Sequence, residues 1–224
     1  MKKVSFSLTH SWKVSLEEAI KIQERFKNKI VLRNGFRKIK KIAGVDVSYS
    51  DEVAKAAIAV FDFPGMKLLE IATARKKIRF PYIPGLLAFR EGPAILSAFK
   101  KLKYNPDVII FDGQGILHPR RMGIATHIGI LIDKPTIGCA KSPLYWKFKE
   151  PGKKKGCRTF IRDKSGEVLG VVLCTRDRVK PVFVSCGHKI DLDSAIRIAL
   201  ATTRGFRIPE PLRFAHRFSK EREL

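Results

Sequence analysis

At 224 residues and 45% hydrophobic side chains the chain can bury one substantial core and is short for two, so a single α/β domain over residues 1–224 is expected. Against 21 Asp and Glu stand 45 Lys and Arg, a formal net charge of +24 that exceeds what solubility asks of such a domain and points to a polyanionic partner. No apolar run approaches the ~20 residues of a membrane span and no basic amphipathic helix stands apart, which argues against a membrane role and favours nucleic acid.

The start, MKKVSFSLTHSWKVS, has no sustained apolar stretch ahead of a cleavage site, so an intracellular, cytoplasmic protein is expected. In SLEEAIKIQERF, Ser15 is placed as an N-cap with Glu18 three residues on, and Leu16, Ala19, Ile20 and Ile22 fall mostly on one side of a helix. KKIAGVDVSYS, AKAAIAVFDF and KLLEIATARKKIRF are rich in strand formers, with Pro64-Gly65 marking a turn between the second and third, and read as three consecutive antiparallel strands. After PYIPG the spacing of Leu86, Leu87, Phe89, Ile95, Leu96 and Phe99 is helical, with Gly92-Pro93 expected to divide or kink that helix. DVIIF reads as a central strand, MGIATHIGILID as a helix and PTIGCAK as a strand. The order β-β-β-α-β-α-β implies a mixed sheet with helices on both faces.

Beyond residue 150 a basic loop, PGKKKG, precedes three further short strands in CRTFIRD, EVLGVVLC and PVFVSCG. A helix capped near Asp191 or Asp193 and another from about Pro209 close the chain. Cys139, Cys157, Cys174 and Cys186 lie far apart with no CxxC pair and are read as small core residues without chemistry.

Two acids interrupt apolar runs. Asp46 stands inside IAGVDVSYS, and Asp112 follows VIIF and precedes glycines, His118 and the pair Arg120-Arg121. A buried carboxylate is costly unless paired, so each invites a functional reading. The plain alternatives are a solvent-facing position in an alternating strand for Asp46 and an Asp-Gly turn for Asp112. With Glu91 on the helix after the third strand, the acids belong to three elements. Their placement resembles the ribonuclease H-like fold, in which adjacent central strands bring the first and last acids together. Clustered carboxylates repel one another without cations, and magnesium suits oxygen ligands.

GVDVSY, PYIPGLLAFREGP, DGQGILHPRRMGIATHIGI, GCAKSPL and PEPLRFAHRFS stand in the order, and at about the separations, of the endonuclease V family. The resemblance spans residues 10 to 220, with the triple lysine at 153–155 and the short C-terminal tail as local variation. It implies that Asp46 and Asp112 hold a catalytic magnesium ion, for which manganese substitutes, and that Glu91 and His216 complete the site directly or through water. It also implies that Lys141 approaches the phosphate. Read alone, Lys141 is one more surface lysine and His216 one residue of an amphipathic helix. The implied reaction is hydrolysis of the second phosphodiester bond 3′ to deoxyinosine in DNA, leaving 3′-hydroxyl and 5′-phosphate ends and the base attached. Some relatives prefer inosine in RNA. A monomer without an obligate protein partner is expected.

Reaching an altered base inside a duplex calls for rotating it into a pocket. In PYIP the prolines, Pro84 among them, stiffen the loop around Tyr82, which can fill the gap and stack; the alternative is a Pro-rich turn whose tyrosine covers the core. Hypoxanthine presents an acceptor and an N1 donor where adenine presents the reverse, and main chain can read that difference. Gly113, Gly115 and Gly123, with Gly85 opposite, would let backbone approach a planar base, with Ile124 and Leu144 as walls and His118 between pocket and acids. A rival reading, a non-catalytic basic nucleic-acid-binding protein, accounts for the charge and leaves the three acids unexplained.

Overall fold

The computed structural model describes residues 8–221, so the first seven residues of the basic start and the last three of the C-terminal tail lie outside the described residues. Helix α1 (Leu16–Lys27) starts on a reciprocal cap: the Ser15 hydroxyl accepts the Glu18 N–H and the Glu18 carboxylate accepts the Ser15 N–H. Next come β1 (Lys41–Ser50), β2 (Val53–Asp62), β3 (Leu68–Lys77), α2 (Leu87–Phe99), β4 (Val108–Phe111), α3 (Ile124–Ile132) and β5 (Thr136–Ala140). The chain continues through β6 (Arg158–Arg162), β7 (Val168–Leu173), β8 (Val182–His188), α4 (Leu192–Ala201), capped by Asp191, and α5 (Glu210–Lys220). The β-β-β-α-β-α-β order read from the sequence is present.

All eight strands form one sheet in the order β3-β2-β1-β4-β5-β8-β7-β6. The first three pair antiparallel, β4 lies parallel to both β1 and β5, and the outer strands are again antiparallel. Strand β4 is buried along its whole length because helices cover both faces of the sheet there, which is why VIIF needs no polar side. Ala43 and Val45 of β1 and Ile109 and Phe111 of β4 point into the core beneath α2 and α3. Ile42, Val108 and Ile110 point the other way, against α4 and α5.

Of the two outcomes expected at Gly92-Pro93, a division or a kink, the division does not occur. Helix α2 runs unbroken through Gly92-Pro93, although Pro93 has no N–H to donate. Packing outweighs the missing bond: Ala88, Ala94, Ile95, Ala98 and Phe99 are buried in the core, and the space beside Gly92 is filled by the Trp12 ring. Among the described residues no helix is long and apolar enough to cross a membrane.

Candidate active site

Strand register and side-chain alternation place the acids. Val45 pairs with Phe111 at the end of the parallel β1–β4 ladder, so Asp46 and Asp112 are the next residue on each of two neighbouring strands. The Asp112 N–H, donating to the Val45 carbonyl at 3.0 Å, keeps them side by side. By alternation both carboxylates point toward the α5 face, as does Lys141 two residues beyond the core residue Cys139. Helix α5 reaches them because Gly44 has no side chain, since a Cβ there would collide with the Pro211 carbonyl. About a turn and a half further on, His216 donates from Nδ1 to Asp46 Oδ2 at 2.6 Å. Lys141 Nζ is in close ion contact with Asp112 Oδ2.

Ligand atoms of Asp46, Asp112 and His216 all lie within 4.8 Å of one another. The Asp46 and Asp112 side chains are only 10% and 15% exposed, while those of His216 and Lys141 are 44% and 43% exposed, so the cluster opens to solvent on one side. Burial, and next the neighbouring Asp112 charge, push the Asp46 carboxyl above its usual range against the pull of His216. Two crowded carboxylates with an open side fit a hard divalent cation.

Glu91 takes a different place from the one expected of a direct ligand. It sits on α2, on the opposite face of the sheet, and lies outside the 4.8 Å group. The Tyr49 hydroxyl donates to its Oε1 in a very short bond, and the Arg90 guanidinium stacks 4.8 Å from the Tyr49 ring centre. Burial, with further push from the Asp46 and Asp112 charges, raises the Glu91 carboxyl to about 8, although the Tyr49 bond holds it back. It therefore feels both acids without sharing their oxygen cluster.

On the α2–α3 face a cavity of about 300 Å³ adjoins the acids. Tyr82, Pro84, Gly85, Gly113, His118, Gly123, Ile124 and Leu144 line it, and so do Asp112 of the acid cluster and its partner Lys141. Tyr82 stands 67% exposed at the rim and covers no core. Gly115 lies behind the wall instead. A Cβ there would collide with the Cys186 carbonyl, and its N–H donates to Ser185 Oγ at 2.9 Å, so it needs to be glycine for packing against β8.

His118 is 2% exposed and both ring nitrogens are engaged inside the protein. Nε2–H donates to the Gly85 carbonyl at 2.9 Å, while Nδ1 accepts the N–H groups of Arg120 and Met122 at 3.1 and 3.3 Å. Burial, and next the Arg120 charge, lower its pKa to about 4, which keeps the ring neutral and suited to this bracing place between cavity and loop. Gly85 needs its φ of +84°, and its carbonyl also accepts from Gln23 Nε2 at 2.9 Å and the Arg120 guanidinium at 3.2 Å.

Gln23, absent from the sequence reading, is fully buried on α1. It also donates to the Met122 carbonyl at 3.1 Å and accepts from Arg120 Nε at 2.6 Å. Its signal was local: with Ala19 and Phe26 it forms the buried stripe of α1, where a polar residue is out of place. Leu87, Ala88, Gln114 and Met122 are among the further lining residues that the sequence did not announce.

A mixed sheet with paired acids at the end of its β1–β4 parallel ladder, beside Lys141 and open to solvent on one side, fits the ribonuclease H-like class of nucleases. Residues 24–217 match the Endonuclease V family. Endonuclease V of Dictyoglomus turgidum is 52% identical over 204 residues, 91% of this chain and 89% of that one. Endonuclease V of Methanothrix thermoacetophila is 49% identical over 213 residues, 95% and 94% of the two chains. The crystal structure of Endonuclease V from Streptomyces avermitilis superposes with a TM-score of 0.89 at 38% identity, covering 98% of this chain and 96% of that one. Endonuclease V of Ciona intestinalis, solved with a 23-mer DNA containing an inosine followed by a ribo-adenosine, gives a TM-score of 0.80 at 34% identity, covering 92% and 97%. The chain belongs to the endonuclease V family.

Proposed function

We propose that this chain is a magnesium-dependent endonuclease that recognises deoxyinosine in DNA and hydrolyses the second phosphodiester bond 3′ to it, leaving 3′-hydroxyl and 5′-phosphate ends. The observation that carries the reading is the sharing of Asp112, with Lys141 beside it, between a cavity and the acid cluster, an arrangement that suits lesion recognition and hydrolysis on one strand of substrate. The position of the cut follows from the family resemblance.

Asp46 and Asp112 would hold the ion, with His216 beside them and Glu91 acting through water from the other face. When bound, magnesium supplies charge neutralisation at the scissile phosphate and makes water a stronger nucleophile. Lys141, a mobile point charge on the same rim, moves from Asp112 to an incoming phosphate oxygen. His216, anchored through Nδ1, keeps Nε2 to take or give a proton. In the cavity the bound base is walled by Ile124 and Leu144, and Tyr82 fills the space it leaves in the duplex. The Gly85 carbonyl is occupied by three internal donors, so readout of the base falls to other main-chain groups of the lining.

Labelled strands with and without inosine, incubated with magnesium, manganese or EDTA, test this. The expected result is a metal-dependent cut beside inosine; binding without any cut would restore the non-catalytic reading. A second substrate, inosine in RNA, is favoured by the ribo-adenosine in the DNA bound to the Ciona relative. Matched DNA and RNA strands in the same assay decide between them, since only a contact to the 2′-hydroxyl separates the two.

A further inference from the structure

Beyond Lys141 the active end of the sheet carries a second concentration of charge. Strand β7 runs parallel to β5, and β6 and β8 run against it, so the loop before β6 and the loop between β7 and β8 project at the same end as the acids. Lys153, Lys154, Lys155, Arg176, Arg178 and Lys180 are all exposed on these two loops. Among the described residues none of the six makes an ion pair. Asp177, which stands among them, turns its carboxylate to the Lys155 backbone N–H at 2.7 Å.

The loops are tied to the catalytic rim by hydrogen bonds to backbone carbonyls. The Arg207 guanidinium donates to the carbonyls of Lys141 and Pro181, both at 2.8 Å, and the Arg207 carbonyl accepts the Thr175 hydroxyl at 2.5 Å. The Arg178 N–H in turn donates to the Lys153 carbonyl at 2.8 Å. One hydrogen-bonded ledge thus runs from Lys141 to Lys153, with a cleft of about 500 Å³ lined by Lys153, Arg178 and Lys180 against a single acid, Glu150. Unpaired like charges held this close repel one another, and an extended polyanion relieves that repulsion. Among the described residues the charged stretches 150–157 and 174–181 carry no large exposed apolar side chain of the kind a membrane surface would engage, Tyr145 lying earlier in the loop before β6.

We propose that these two loops form a second nucleic-acid contact, a track that binds the phosphodiester backbone outside the lesion site. The proposal rests on the nuclease reading for what occupies Lys141. It makes the triple lysine an extension of the substrate footprint.

The test compares two full-length variants that each lose four charges and must melt like the parent. One carries Lys153→Gln, Lys154→Gln, Lys155→Gln and Arg178→Gln. The other carries Arg33→Gln, Arg37→Gln, Lys38→Gln and Lys40→Gln, exposed residues leading into β1 at the opposite end of the sheet. Binding to undamaged duplex is titrated with salt. The track variant should lose about 3 from its log–log salt slope, near 0.9 for each phosphate contact, and the control less than 1. On inosine substrates extended to one side only, either 5′ or 3′, the track variant should lose the KM advantage of one extension while keeping kcat. Equal slopes in the two variants would overturn the track, as would a loss of binding to phosphatidylserine vesicles with duplex binding unchanged. Parent protein that binds duplex along the track but never cuts inosine strands would sink the nuclease reading and leave the track in place.

Discussion

The two faces of the sheet meet at the ends of β4 and β5 and are built on opposite terms. On the α5 face Asp46 and Asp112 are pressed together, with His216 and Lys141 offsetting only part of their repulsion. On the α2–α3 face, Gln23, His118 and Arg120 turn their polar atoms onto the Gly85 carbonyl and onto one another. The acid face is left wanting a cation, whereas the hydrogen bonds around the Gly85 carbonyl are made before any ligand arrives. Chemistry needs the first arrangement and shape recognition the second.

The sharpest way to separate the faces is to remove one acid at a time. Asp46→Ala should abolish cleavage and leave inosine binding near the parent value, because Asp46 belongs to the acid cluster alone. Asp112→Ala should abolish cleavage and also weaken inosine binding, because Asp112 lines the cavity as well as belonging to the acid cluster. Single-turnover cleavage and equilibrium binding on the same strand read both. Equal binding in the two variants would mean that the faces do not share Asp112 in function.

Gly44→Ala attacks the acid face from a distance. The new methyl group forces α5 outward from β1 and carries His216 away from Asp46, with an overpacking cost of about 1–3 kcal/mol. Melting should fall accordingly, and cleavage should fall by more than the stability loss explains, while pocket binding stays. Cleavage that merely tracks the folded fraction would remove His216 from the chemistry.

How far each face is legible in the sequence follows from the same contrast. Asp46 and Asp112 stand out because each breaks an apolar run, and parallel pairing of the strands around a helix brings them together. Glu91 was legible as an acid on the right helix, but the alternation that sends Tyr49 and α2 to the far face is a matter of register. The pocket scaffold left almost no trace: Gln23 reaches Gly85 across 62 residues and Arg120 across 97. A glycine-rich segment announces close approach without saying to what, and so Gly115 proved to face β8 rather than the cavity. Strand order on the outer side, with β8 rather than β6 beside β5, was equally hidden, because short antiparallel strands carry no label for their neighbours.

On the pocket face, rim and floor can be told apart. Tyr82→Ala removes the exposed ring and should cost roughly 1–3 kcal/mol of inosine binding in duplex, with little loss on a single strand and with Tyr82→Phe near the parent. Gln23→Leu leaves Arg120 Nε without its acceptor and should cost about 1–2 kcal/mol on duplex and single strand alike, since it loosens the floor itself. Were the two variants to show the same strand dependence, the division into rim and floor would fail.

The smallest effect concerns Glu91 and needs no substrate. Its carboxyl lies at about 8 in the folded protein against an ordinary 4.5, so the folded state holds a proton that the unfolded state gives up earlier. The stability this provides is complete below about pH 4.5 and drains away as pH rises through 8. Glu91→Gln cannot titrate and keeps an amide oxygen to accept from Tyr49. In EDTA the variant should therefore gain on the parent between pH 5 and 8, by on the order of 1 kcal/mol once solvent relaxation around the buried acid is allowed for. Magnesium should shrink the gap at pH 8, because a cation near Asp46 and Asp112 removes part of the charge that pushes Glu91 up. Thermal melts at pH 5, 6.5 and 8, with and without the ion, measure it. A gap that is flat with pH would place Glu91 ionised and solvated, reaching the acid cluster directly from its own face of the sheet.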